Sequence, residues 1–385
     1  MNRTTQHTDW KTITIYFLMA VMVFFASFRA PNAEAEALSY SVPGYIGMLQ
    51  NLSLLIVMVC AMIALFLTFV YRKTGHTARP NLLIYYYVFH LVVLACDLAN
   101  SGTLEDVLTR VVFATVVFLF FYYVVSPLPF YAADRYHVLN AYFLGSLLFL
   151  LLNLGLHLTG VASLIWKGRF FGLTTHPNFI GLCGAVTAAL SFALFYGEKS
   201  GIGRVLYVIG LLAGLWVCIL SGSRTSLLGS AASIVTVLFF SVKDYSLKPL
   251  LILLILLGSI LAISYVDLQS LDYANRGNTR EETWASMYQE ASQLPFFGRG
   301  RSGATTNAYL FAVVAGGVFG AFFFFRTIFS AIGAFFSRNL GTHYSAVIRC
   351  SIVALILVTS MLEGYLLDAA GIPVFTYWMI LCYLK

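Results

Sequence analysis

The sequence predicts an all-α, polytopic integral membrane protein of about 12 transmembrane helices, with one long outer loop that carries a short helix. Three observations predict it. The 385 residues are 60% hydrophobic and only 10% charged, with a mean hydropathy of +0.84, whereas soluble domains carry about 25% charge. Apolar runs of spanning length recur along the whole chain, which excludes a soluble enzyme with a membrane tail. The net charge of +7, from 23 basic against 16 acidic residues, is spread over short connections, where it sets topology; a nucleic-acid partner is not expected. The cysteines Cys60, Cys96, Cys183, Cys218, Cys350 and Cys382 lie in apolar runs without paired spacing, so neither disulfides nor a metal site is expected from them.

The runs place spans near 12–28, 46–71, 82–98, 107–125, 138–158, 180–196, 205–220, 226–242, 249–266, 308–335, 350–364 and 373–384. The first resembles a secretory signal, with Arg3 and Lys11 ahead of it and Ala33-Glu-Ala-Glu-Ala behind, but its length and Arg29 argue for a retained span. A cytoplasmic N-terminus puts Arg72, Lys73, Arg79, Arg135, Lys199, Arg204, Lys243, Lys248, Arg338, Arg349 and Lys385 inside, as short basic loops require. Both termini then face the cytoplasm. The chain divides into five N-terminal helices over 1–160 and a core over 161–385 that includes the outer segment 267–307.

Against this trend, Lys167, Arg169, Arg224, Arg276, Arg280, Arg299 and Arg301 fall on the outer side. Long loops translocate regardless of charge, which accounts for the four arginines of 267–307. It does not account for Arg224, which sits between two apolar runs in Ser221-Gly-Ser-Arg-Thr-Ser, where an ionisable group marks a candidate site. Guanidinium forks suit phosphate oxygens, and a lipid-linked diphosphate is the ligand expected at this depth. If the diphosphate leaves, arginines also neutralise the charge that develops, a task metals perform elsewhere. No Asp-x-Asp or paired carboxylates stand in the outer loops, so a metal-independent mechanism without cofactors is expected.

Other outer residues carry weaker signals. Pro177 suits the first turn of the sixth span, with Asn178 beside it; His176 reads either as an acid or base near neutral pH or as an interfacial polar group. Thr279 followed by Glu282 resembles a capping box and predicts a short helix over 280–292. Trp284, Tyr288, Phe296 and Phe297 interleave with Asp267, Asp272, Glu281, Glu282 and Glu290 there, a composition shared by sugar-binding surfaces and interfacial helices. Gly298-Arg-Gly-Arg-Ser-Gly matches the dinucleotide fingerprint only formally, because no βαβ unit is possible here; its glycines are expected to permit close backbone approach to a ligand or a sharp turn. His90, Asp97, Asn153 and His157 are expected to bond between helices, with Asp97 and Arg110 pairing across one outer turn. Glu363, near the outer end of the eleventh span, reads either as a partner for an arginine or as a base.

Three segments together resemble the O-antigen polymerase and ligase superfamily: Arg169 to Leu182 with its His-Pro-Asn-Phe-Ile-Gly, the Ser221-Gly-Ser-Arg-Thr-Ser-Leu-Leu-Gly turn, and Gly298-Arg-Gly with Asn307-Ala-Tyr-Leu, Gly316, Gly317 and Gly320. The resemblance covers about 165–325 and extends loosely to Glu363–Trp378. It implies a membrane glycosyltransferase acting at the periplasmic face on undecaprenyl-diphosphate-linked glycans, with Arg169, Arg224 and one or more of Arg276, Arg280, Arg299 and Arg301 holding the diphosphate. Ligases of the superfamily carry a histidine before the asparagine of the third segment, where this chain reads Thr305-Thr306-Asn307; His343 lies on the cytoplasmic side. A polymerase of O-antigen, capsule or exopolysaccharide is therefore expected, with Glu281, Glu282, Asp272 or His176 as its base. The catalytic candidates are Arg224, Arg280, Glu281 and His176, and the substrate-binding candidates Arg169, Arg276, Arg299, Arg301, Asn178, Asn307, Tyr309 and Trp284. The expected partners are a lipid-linked donor and acceptor, the bilayer, a chain-length regulator and a flippase. A ligase transferring glycan to lipid A core is the alternative. A secondary transporter or glycolipid flippase is a further one, disfavoured by the absence of an internal repeat and by charges gathered on one side.

Overall fold

The computed structural model describes residues 10–30, 42–71, 81–100, 102–127, 132–162, 164–166, 168–241, 279–293, 296–301, 306–336, 343–368 and 370–384. Its helices are α1 (Trp10–Ala26), α2 (Gly44–Tyr71), α3 (Asn81–Asn100), α4 (Leu104–Leu119), α5 (Ala132–Leu158), α6 (Pro177–Gly197), α7 (Gly201–Leu220) and α8 (Arg224–Ser241). They continue as α9 (Thr279–Gln293), α10 (Ala308–Phe336), α11 (His343–Ser360) and α12 (Ile372–Tyr383). Among the described residues, 8 helices are long and apolar enough to cross a membrane, and α1, α11 and α12 are shorter apolar helices. The fold is that of an all-α, multi-pass membrane protein. The expected span 249–266 lies outside the described residues, as do Lys167, Asp267, Asp272 and Arg276.

Large apolar side chains stay exposed around the bundle, among them Phe17, Phe66, Leu212, Trp216 and Phe322. Hydrocarbon is their compatible solvent, since no hydrophobic gain drives them inward when lipid tails are equally apolar. The centre is taken by α12, buried from Ile372 through Cys382. Its first turn is held by N-terminal helices: Ser27 Oγ accepts the Ile372 amide at 2.8 Å, and the Tyr142 hydroxyl donates to the Ile372 carbonyl at 2.6 Å. One continuous core accordingly draws residues from both sides of residue 160, from Leu18 to Leu384. All six cysteines are buried.

Two departures from the expected elements have local causes. The eleventh helix stops at Ser360, short of 364. The hydroxyls of Thr359 and Ser360 bond to the Tyr365 hydroxyl at 2.7 and 3.4 Å, and the Leu362 and Glu363 amides turn back onto the Thr359 carbonyl, so Glu363 belongs to the connection rather than to the span. The tenth helix is broken at Gly317, whose φ of 63° and ψ of −170° open one turn. The freed carbonyls of Val314 and Ala315 accept the amides of Arg299 and Gly300 at 2.8 and 3.0 Å, and the Phe319 amide donates to the Phe296 carbonyl at 3.4 Å. The glycines of Gly298-Arg-Gly therefore allow close approach to a helix rather than to a ligand. A Cβ on Gly300 would lie 2.3 Å from Asp97 Cα, and its φ is +79°.

Candidate functional site

One end of the bundle gathers the connections that the topology assigns to a common side. A two-stranded hairpin, β1 (Ile165–Trp166) and β2 (Arg169–Phe170), pairs Trp166 with Arg169 and turns through Gly168, which has a φ of +73°. It presents the Arg169 guanidinium to two other elements: Nε donates to the Ser221 carbonyl at 2.7 Å and Nη2 to Asn178 Oδ1 at 2.5 Å. Asn178 stands in the first turn of α6, behind Pro177, where proline costs no hydrogen bond. The turn 221–223 that begins α8 packs directly on α6, for a Cβ on Gly181 would meet Ser221 Oγ at 2.6 Å and Ser226 Oγ at 2.7 Å. Two of the three segments that carry the family resemblance thus touch.

The network continues to Glu363. Its Oε1 accepts from Asn178 Nδ2 at 2.9 Å, Arg280 Nη2 at 3.0 Å and Thr225 Oγ1 at 3.3 Å. Arg280 Nη2 also donates to Thr225 Oγ1 at 3.2 Å. Arg280 reaches the site because α9 is amphipathic: Arg280, Trp284, Met287 and Ala291 turn toward the bundle at helical spacing, while Glu281, Glu282 and Tyr288 are exposed. Burial raises the Glu363 carboxyl from its ordinary 4.5 to about 7, although Arg280, Thr225, Arg169 and Asn178 all pull it down. The result is a desolvated carboxyl flanked by two guanidinium groups.

A second polar group forms on the same side. Asp97 Oδ2 accepts from Arg110 Nη1 at 3.1 Å, its Oδ1 takes the Arg301 amide at 3.4 Å, and Asn100 Nδ2 donates to the Gly298 carbonyl at 3.2 Å. The expected Asp97–Arg110 pair is therefore present. Asp368, five residues beyond Glu363, is raised to about 6 by burial against the pull of Arg301 and Arg29. Arg29 is fixed by Ser53 Oγ at 2.9 Å and by its own amide donating to the Leu173 carbonyl at 2.9 Å.

Of the sequence candidates, Arg169, Asn178 and Arg280 meet in one network. Arg224 opens α8, immediately before Thr225, with an exposed side chain. Arg301 lies with Asp97 and Asp368, and Arg299 turns outward to Gln293 Oε1 at 2.9 Å. His176 caps α6 through Nδ1, which accepts the Asn178 amide at 3.1 Å, and burial followed by the charge of Arg169 lowers its pKa to about 4. Asn307 caps α10, accepting the Tyr309 and Leu310 amides at 3.0 Å each. Tyr309 spends its hydroxyl on the Leu357 carbonyl at 3.0 Å among phenylalanine rings. Trp284 packs inward against the core, so its ring is not offered as a stacking face, and Glu281 is exposed on the flank of α9 beside Arg280, outside the network. Helix phase explains both placements. The sequence reading did not single out Thr225 or Asp368, and it left Glu363 outside its candidate set; the one available signal was that three apolar spans end beside these polar residues.

No protein-family model matches the chain, and no curated protein matches it at a significant level.

Proposed function

We propose that the chain is a surface polysaccharide polymerase of the inner membrane, joining undecaprenyl-diphosphate-linked repeat units at the periplasmic face. The observation that carries this reading is the convergence of Arg169 and Arg280, from separate outer segments, on one buried network at a single end of the bundle. Arg280 Nη2 is shared by Thr225 and Glu363, while its Nη1 and Nε have no partner among the described residues and form a donor face for phosphate oxygens. With the exposed guanidinium of Arg224 one residue from Thr225, this makes a clamp for the diphosphate of the donor, stabilising it as a leaving group by fixed positive charge. The growing chain on its lipid is the donor and a fresh lipid-linked unit the acceptor. A ligase with lipid A core as acceptor uses the same clamp, but position 306 offers it threonine, whose hydroxyl points at the Met287 sulfur at 4.0 Å.

The clamp is tested by complementing a deletion strain with Arg224→Ala. The expected outcome is loss of the polymer ladder at unchanged protein abundance. Near-normal chain lengths contradict the clamp.

A further inference from the structure

Three groups stand outside the clamp: the Asp368, Arg29 and Arg301 cluster, the imidazole of His90 buried midway along α3, and the carboxyl of Glu363. Glu363 is the one whose hydrogen bonds specify a task. Resting on the polymerase reading, we propose that Glu363 is the catalytic base that takes the proton from the acceptor sugar hydroxyl.

The argument is one of valence. Asn178, Arg280 and Thr225 all donate to Oε1, and among the described residues no donor reaches Oε2. Two of these donors come from the first turns of α6 and α8, so the carboxyl is held at a fixed angle by the ends of two packed helices. The side chain keeps 14% of its surface accessible, enough for one oxygen to face a ligand while the other is anchored. The charged and titratable groups around it are Arg280 from α9, Arg169 from the hairpin and Tyr365 from the following turn. Burial opposes its ionisation and the two arginines favour it, which leaves the carboxyl titrating near neutrality, where a base is most effective.

The competing bases among the described residues are less well placed, and Asp272 lies outside those residues. His176 uses Nδ1 to cap a helix, and Glu281 and Glu282 are exposed and outside the hydrogen-bond network of Glu363. In the step, an acceptor hydroxyl oxygen forms a bond to the anomeric carbon of the donor as the bond from that carbon to the diphosphate oxygen breaks. The bonding pair leaves with undecaprenyl diphosphate, held by the arginines, and the hydroxyl proton passes to Glu363 Oε2 and then to solvent. No oxidant, reductant or further reactant is needed.

The test uses the full-length protein in lipid nanodiscs and, as probe, the undecaprenyl-diphosphate-linked repeat unit extracted from the deletion strain. Wild type should polymerise it with a rate that rises through an acid limb near pH 7. Glu363→Gln keeps an oxygen for the three donors but has no basic oxygen; it should lower the rate at least about 100-fold, the low end for a general base, with probe affinity and the yield of folded protein unchanged. Glu363→Asp should retain part of the rate with a displaced acid limb, and this variant decides the matter if the glutamine form is not produced. Rates within threefold of wild type for Glu363→Gln, or an acid limb that stays put in Glu363→Asp, overturn the assignment while leaving the polymerase reading intact. Failure of the wild type itself to extend the probe rejects the polymerase reading and the base with it.

Discussion

Two carboxylates at the same end of the bundle meet arginines, and they use their oxygens differently. Asp97 commits both, Oδ2 to Arg110 and Oδ1 to the Arg301 amide, and backbone packs against it so closely that Gly300 has no room for a Cβ. Glu363 concentrates three donors on Oε1, none of the described residues donates to Oε2, and the side chain keeps 14% of its surface accessible. Full use of both oxygens marks a lock between α3, α4 and the segment ahead of α10. Partial use, inside a cluster of guanidinium groups, marks a place where a ligand completes the set. A buried ion pair is weak evidence of stability in itself, because desolvation offsets its attraction; what distinguishes the two sites is which valences remain.

The largest contrast is expected in activity. Arg280→Ala removes a donor from Glu363 and the open face offered to phosphate, and its polymerisation rate should fall by about 100-fold or more, as for loss of one preorganised donor. A ladder assay in a deletion strain, normalised to protein abundance, checks this; wild-type chain lengths would break the distinction between the two carboxylates. Gly300→Ala attacks the lock instead. With φ at +79° and 2.3 Å between the new Cβ and Asp97 Cα, it should destabilise the fold by about 3 kcal/mol or more, read as lower melting temperature and lower yield.

Asp97→Asn should act more gently on the same lock. The Arg110 side chain is 40% exposed, so the pair is screened and its loss should cost about 1 kcal/mol or less, with polymerisation within threefold of wild type. A large activity loss at normal stability would move Asp97 into the site. The smallest effect is on pH dependence of stability. Glu363 and Asp368 titrate at about 7 and about 6 in the fold, above their ordinary 4.5 and 3.8, so between about 4 and 7 the folded state binds more protons than the unfolded state. Stability therefore falls as pH rises through that window. The melting temperature should be higher at pH 5 than at pH 8, and Glu363→Gln should flatten the difference.

Much of the fold was legible because lipid imposes length and polarity on each span. Eleven of the expected spans match described helices within a few residues at most boundaries, and α9 appears over Thr279–Gln293 where the Thr279 and Glu282 spacing places it. The misplaced end of α11 depended on hydroxyl contacts to Tyr365 that no periodicity encodes. The site was legible by residue type and less so by orientation. Arg169 and Arg280 were found because charge on the outer side is anomalous, and Asn178 because it stands beside Pro177 at the start of a span, whereas Glu281 and Trp284 were assigned without fixing the phase of α9. Asn307 and His176 carry polar side chains for capping, a local backbone need that resembles a functional signal in a linear reading. Glu363 became distinct only when its three donors, from segments up to 185 positions away, stood around it.

Deleting the gene in its host and resolving surface and lipid-linked glycans at single-repeat resolution tests the central claim most directly. The account predicts loss of the ladder with one repeat unit still attached to its final acceptor, and restoration by the wild-type gene. Long chains accumulating on the carrier lipid, or an unchanged ladder, would contradict it.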